Sequence, residues 1–290
     1  MKRSFRSIAS SAVLVFTIGS SGLLPTVTLA QTQEEQQAYA QKVIALDWFK
    51  AGREGDVAGV ATFVATKNVS FLTPSDTDKF LMINGNPPDN GASNTIANLQ
   101  EGWFAILKFM PSGLVKDDEK IDADALLTTL KDNSIKEAAE RRNQGYSPLT
   151  VVGWAISPRY DSVNKRLEWA TLLRDEDTQS LHANVSTKVL GRSGYTSVVL
   201  VTDSPETVER DLSAFKTAMV NFKYKDGERY SDWKQGDKVA AYGLGALVLG
   251  GAAAVATSKG GFKAIGLAIL AGLVALWGVI KRLFGKKSDQ

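Results

Sequence analysis

Hydrophobic positions near the C-terminus run on without a period. From Val239 to Ile280 the chain carries charge only at Lys259 and Lys263, in the break Ser258-Lys259-Gly260-Gly261-Phe262-Lys263 between two apolar halves. Each half has about 17 to 19 residues and, as a helix, would span about 25 to 29 Å, close to the hydrocarbon thickness of a bilayer. Ala264 to Ile280 is rich in Leu, Ile and Val, holds Trp277 near its end, and is followed by Lys281, Arg282, Lys286 and Lys287. That flank predicts a transmembrane helix over 264–280 with a basic tail over 281–290. Ala240 to Thr257 is dominated by Gly and Ala, so three readings stay open for it: a first span, a surface-lying helix, or a helix packed on the preceding domain. Ala246, Gly250 and Ala254 recur every fourth position, which would let a second helix approach for self-association, although Gly and Ala are simply abundant there.

Elsewhere the pattern is that of a folded domain. A basic start with Lys2, Arg3 and Arg6 precedes an apolar run from Ile8 to Leu24, then Pro25 and the small-residue site Thr28-Leu29-Ala30. This order predicts a secretory signal peptide over 1–30 with cleavage after Ala30; an uncleaved anchor is the alternative. The exported domain is expected over 31–234, and a juxtamembrane segment over 235–263. An amphipathic helix is expected within Gln31 to Lys50, and strands over Val57 to Ala65 and Val69 to Leu72 around the turn Lys67-Asn68. Ser75 is read as the cap of a helix ending at Gly85. Trp103 to Met110 reads as a strand turned by Pro111-Ser112-Gly113 into a second, Leu114-Val115.

Asp122 is placed to cap a helix from Ala123 to about Gln144, whose apolar stripe holds Ala123, Leu127, Leu130 and Ala138. Strands are expected over Val151 to Ile156 and Leu167 to Leu173, and over His182 to Leu190 and Tyr195 to Thr202. Ser204-Pro205-Glu206 opens a helix buried along Val208, Leu212, Phe215 and Met219, and Phe222 to Tyr224 closes the domain. Hairpins interrupted by helices predict the α+β class: an antiparallel sheet with packed helices, followed by the C-terminal transmembrane segment.

Composition narrows the function. The sequence has 290 residues, no Cys, one His and a formal charge of +3. Without Cys there is no disulfide, thiolate nucleophile, Cys-ligated metal or lipidated N-terminal Cys. The small, scattered net charge gives no basic field for nucleic acid. No cofactor motif and no catalytic motif stand out.

Several runs resemble the signature stretches of the bacterial family known as domain of unknown function 2167, described as predicted membrane-anchored proteins. They are Gly85-Asn86-Pro87-Pro88; Gly113 through Lys120; Gly153-Trp154 with Pro158-Arg159-Tyr160-Asp161 and Leu167-Glu168-Trp169; Leu190 through Gly194; and Gly227 through Asp232 with Gly236 through Gly243. The stretch around Val57 to Thr66 is poor in the usual Leu-Gly pattern, and Trp233 stands where Phe is more usual. The resemblance implies a membrane-anchored envelope protein and brings no activity with it.

Candidate binding residues come from these runs: Asp117, Asp118, Glu119, Lys120, Arg192, Arg229 and Tyr230. Asp117, Asp118 and Glu119 could supply paired carboxylates or bind a hard cation; equally, they lie at the approach to a helix N-terminus, where acids are favoured anyway. His182 reads as a satisfied strand residue, and Ser193 in Gly-Arg-Ser-Gly is not a nucleophile elbow. Trp103, Trp154, Trp169 and Phe215 read as core. The first reading of function is a non-enzymatic binding or interaction module at the outer face of the cytoplasmic membrane, with the bilayer and a protein as partners. The second is a membrane-tethered hydrolase or cation-dependent enzyme built on the acidic cluster. For topology, one span puts the basic tail inside the cell, whereas two spans would return it outside against the positive-inside bias.

Overall fold

A computed structural model of the chain describes residues 37–250 apart from 85, 87, 144–146 and 203. The signal peptide over 1–30, the span over 264–280, the tail over 281–290 and the Gly/Ala stretch beyond Gly250 lie outside the described residues. Among the described residues no helix is long and apolar enough to cross a membrane. Contacts divide the chain into two units, 1–38 and 39–290, and the folded domain belongs to the second.

After a helix α1 over 37–44, the strands build two antiparallel sheets. The smaller orders β1 (Glu54–Val57), β2 (Ala61–Val64) and β10 (Phe222–Tyr224) as β1-β2-β10. The larger contains β3 (Ser70–Leu72), β4 (Ser93–Asn98), β5 (Trp103–Met110), β6 (Leu149–Asp161), β7 (Arg166–Asp175), β8 (Leu181–Leu190) and β9 (Tyr195–Val201), in the order β3-β4-β5-β9-β8-β7-β6. Helices α2 (Pro74–Ile83), α3 (Ala123–Asn143), α4 (Val208–Ala218) and α5 (Leu244–Val248) complete it. The class is α+β with antiparallel sheets and packed helices, as the hairpin pattern predicts.

Strand alternation gives the large sheet two different faces. On one, which we call the front, Trp103, Ala105 and Leu107 of β5 join Val198 and Leu200 of β9, Phe63 of β2, Phe71 of β3 and Phe215 of α4 in one buried cluster. The expected α4 stripe of Val208, Leu212, Phe215 and Met219 lies wholly within it. Trp103 and Phe215 meet edge to face at 6.3 Å, and burying each such side chain contributes about 1.5 to 3 kcal/mol. Polar contacts pin α4 as well: Lys216 donates to buried Glu168 of β7 at 2.6 Å, beside Arg159 at 2.5 Å.

The back carries two separate apolar patches. Phe104 and Ile106 of β5 meet α2 and α1 through Phe80, Val43 and Leu72. Leu167, Trp169 and Leu173 of β7 and Tyr195 of β9 meet α3 and α5.

Several expectations give way to the structure. Val57 to Ala65 is not one strand: it is a tight β1–β2 hairpin that turns at Ala58 and Gly59, both with positive φ. That hairpin does not pair with β3, because the chain crosses from one sheet to the other between them. Thr73, not Ser75, caps α2, its hydroxyl accepting from the Asp76 amide, with Pro74 at the first helical position. On α3 the buried stripe is Leu126, Leu130, Ser134, Ala138 and Arg141. Leu114-Val115 is no hairpin partner of β5: Leu114 forms a parallel bridge to Val239. Strand β4 lies outside the elements expected from sequence.

The packed structure also continues beyond Lys234. Leu244, Leu247 and Val248 of α5 are buried in the back cluster. The helix then ends, and Gly250 has φ 109°. Ala246 lies within α5 and Gly250 just past its end, while Ala254 of the expected small-residue stripe lies outside the described residues.

Candidate functional site

Most of the candidate residues converge on one corner, where the segment 226–248 docks against the large sheet. Strand β6 and its turn start the arrangement. Tyr160 pairs with Leu167, so alternation sends it to the back face, while Lys165 sits at positive φ in the turn that follows. There both meet Asp117: Tyr160 Oη donates at 2.7 Å and Lys165 Nζ at 2.8 Å to one carboxylate oxygen. The other oxygen accepts from Tyr230 Oη at 2.9 Å, and Lys165 Nζ lies 4.8 Å from the Tyr230 ring centroid.

Electrostatics fix these protonation states. Burial works to raise the Asp117 pKa, but the hydrogen bonds from Lys165, Tyr160 and Tyr230 outweigh it and hold the group below the ordinary carboxylate value. Burial, then the hydrogen bond to Asp117, pushes both tyrosines upward. They stay protonated donors, and Asp117 stays an anion with three of its roughly four acceptor positions filled.

Glu119 is used differently. It accepts from the Gly245 amide at 3.1 Å, at the start of α5. A Cβ on Gly243 would lie 2.1 Å from its Oε2, so a larger residue there would make the Glu119 carboxylate shift. Asp118 and Lys120 are solvent-exposed. Asp117 and Glu119 thus bind different partners, and among the described residues no group of three or more His, Asp or Glu could hold a metal ion. The cap of α3 is Asp122, which accepts from the Ala125 amide at 3.0 Å.

The turn Gly191 through Gly194 fastens the other side of the corner. Arg192 grips Asp237 with two hydrogen bonds at 2.7 and 2.9 Å and donates to the Gly227 carbonyl at 3.0 Å. That fork holds the Asp237 carboxyl down to about 2 and raises the arginine. Ser193 donates to Glu228 at 2.6 Å and so has a carboxylate, not a base of the imidazole type, beside it. Arg229 pairs with Asp226, and its backbone bridges to Gly191. Close backbone approach explains two glycines: a Cβ on Gly194 would lie 2.1 Å from the Met110 carbonyl oxygen, and one on Gly113 2.7 Å from that of Lys238.

The structure brings together Asp117, Tyr230, Arg192 and Arg229 with Tyr160, Lys165 and Asp237, which the candidate set lacks. Tyr160 and Asp237 stand inside the signature runs, and that was the signal available for them. His182 lies apart in β8, its Nε2 3.0 Å from Ser180 Oγ, with burial pushing its pKa down against the pull of Asp175. Trp103, Trp169 and Phe215 are buried, whereas Trp154 is only partly so and donates to the Ala123 carbonyl at 3.1 Å.

The runs that meet at this corner are those of a known family. Its profile, described as "Protein of unknown function (DUF2167)", matches residues 24–281. The chain belongs to this family. Comparison with curated proteins gave no significant match to this DUF2167 chain. Among solved structures, the cyanobacterial PsbP (CyanoP) of Synechocystis sp. PCC 6803 aligns with 11% identity and a TM-score of 0.32, covering 60% of the DUF2167 chain and 92% of the CyanoP chain.

Proposed function

We propose that this DUF2167 protein is a membrane-anchored module of the bacterial envelope, with its domain outside the cytoplasm (periplasmic in a Gram-negative cell). It acts by binding a partner rather than by catalysis. The observation that carries this reading is the docked corner. Asp117 through Tyr230, Glu119 through Gly245 and Arg192 through Asp237 are engaged in holding the segment 226–248, and the backbone of Arg229 bridges to Gly191. The polar runs that could have been a reaction centre therefore read as a fastening between the domain and the apolar stretch that follows. Two features of the sequence support the location: the leader pattern over 1–30, and the run Ala264 to Ile280 with its basic flank. A single span, with the tail in the cytoplasm, agrees with the positive-inside bias.

The test uses the natural absence of Cys. Ser162, exposed in the β6–β7 turn, and Ser288 in the tail are changed one at a time to Cys. Intact cells are then treated with a thiol reagent that reaches the envelope space but does not cross the cytoplasmic membrane. The expected result is labelling of Ser162→Cys, protection of Ser288→Cys until the membrane is opened, and retention of both variants in salt-washed membranes. Protection of Ser162→Cys would refute the outside domain, and immediate labelling of Ser288→Cys would establish two spans.

A further inference from the structure

Away from the corner, Lys188 on the back face has no counter-charge among the described residues. Ser197 of β9 lies in register between two lysines, Lys108 of β5 and Lys188 of β8. Directly paired residues share a face, so the three side chains form a row across the back of the sheet. The row fills the interval between the apolar patch at α2 and the one at α3 and α5. Its two ends differ. Lys108 is neutralised by Asp89, which takes two contacts from its Nζ at 2.8 and 3.0 Å and also accepts from Ser93.

Lys188 has no such partner. Its Nζ donates to Ser197 Oγ at 2.5 Å and stands 5.4 Å from the Trp169 ring centroid. Among the described residues no carboxylate pairs with it. Burial pushes its pKa down to about 8. An ammonium carries three donors, and only one is engaged here; the Ser197 hydroxyl proton likewise has no acceptor among the described residues. Lys188 is half-buried, and holding a cation partly away from water without an anion is unfavourable, so an arriving anion would complete the row.

We propose that Lys188 and Ser197, with Lys108 alongside, form a binding site for a small oxyanion, a phosphate or the phosphate of an ester. Strands lie about 4.8 Å apart, so the long Lys188 side chain reaches an anion over neighbouring Ser197, while Lys108, paired with Asp89, flanks it from the other side. Lysine suits phosphate as a compact point charge. When the anion binds, Lys188 turns its free donors to it, and the Ser197 hydroxyl donates where it had only accepted. The site is independent of the docked corner and of the envelope reading.

The full chain, purified in a neutral detergent, is melted with increasing inorganic phosphate at constant ionic strength set by chloride, which removes general screening. Phosphate is expected to raise the melting temperature. Lys188→Met is expected to bind phosphate at least tenfold more weakly, yet to melt at or above the wild type without phosphate, because it deletes an unpaired cation. Ser197→Ala is expected to weaken binding by a smaller factor, and Lys188→Arg to retain it, which also covers the case in which Lys188→Met fails to fold. A second titration with glycerol 1-phosphate separates the sources: affinity tenfold tighter than for inorganic phosphate assigns a lipid headgroup, and the reverse order assigns the free ion. No response in the wild type, or an equal response in folded Lys188→Met, would overturn the proposal. Stoichiometric modification of Ser197 by a fluorophosphonate would also overturn it, in favour of a Lys-activated nucleophile.

Discussion

The front core and the docked corner hold the same sheet by opposite means. In front, Phe63, Phe71, Trp103 and Phe215 lie within one cluster at 0 or 1% exposure, and area removed from water does the holding. At the corner, Asp117, Arg192 and Glu119 hold a single segment through directed hydrogen bonds, and glycines let backbones touch. Burial is non-directional and tolerates reshaping. Charge-assisted bonds are stronger one by one, but they need each partner in place. The front therefore decides whether the domain folds, and the corner decides whether the segment leading to the apolar stretch is held.

The largest blow to this division comes from the front. Phe215→Ala, at a fully buried position, is expected to cost about 3 to 5 kcal/mol in urea denaturation, with front and corner melting together. A corner that stayed folded through that transition would mean the two regions are separate cooperative units. Gly194→Ala is expected to come next, at about 1 to 3 kcal/mol, because its Cβ would press on the Met110 carbonyl. Amide exchange should show the loss first in 226–248, ahead of β5 and β9; uniform loss would count against the corner as a local fastening.

Asp117→Asn is expected to be smallest, about 1 kcal/mol at pH 7, and it has a pH signature. Because the folded-state pKa lies below the unfolded one, the stabilisation is full above an ordinary carboxylate value of about 3.9 and is lost as pH falls through the lower folded value. The gap between wild type and variant should close in acid. A gap of equal size at pH 3 and pH 7 would show that Asp117 acts by shape and not by charge.

What could be read in advance follows the same division. Strand β5 was legible as a short, nearly unbroken apolar run between Gly102 and Pro111, and the α4 stripe because its apolar residues recur at the helix period. Strand β4 was not: all six of its residues are buried, and Ser93, Asn94, Thr95 and Asn98 among them are polar. It is satisfied by tertiary contacts, such as Asn94 Nδ2 to the Leu72 carbonyl and Thr95 to Thr77, so no alternation marks it. The corner was legible as a set of runs and illegible as a device. Asp117 finds Tyr160 at a separation of 43 residues and Tyr230 at 113, and no local pattern joins such partners. Ser197 and its two lysines were missed for the same reason, since a row across three strands exists only once the register is known.

The pairing of β2 with β10 gives the fold an order in time. Thr62 is matched with Lys223, about 160 residues later, so the small sheet is only a two-stranded hairpin until nearly the whole domain has emerged. Such a hairpin is at best marginally stable alone, and closing so long a loop is slow. During synthesis the β1–β2 hairpin must therefore wait, unfinished, for the residues just ahead of the apolar stretch. The small sheet is then closed from the far end of the domain.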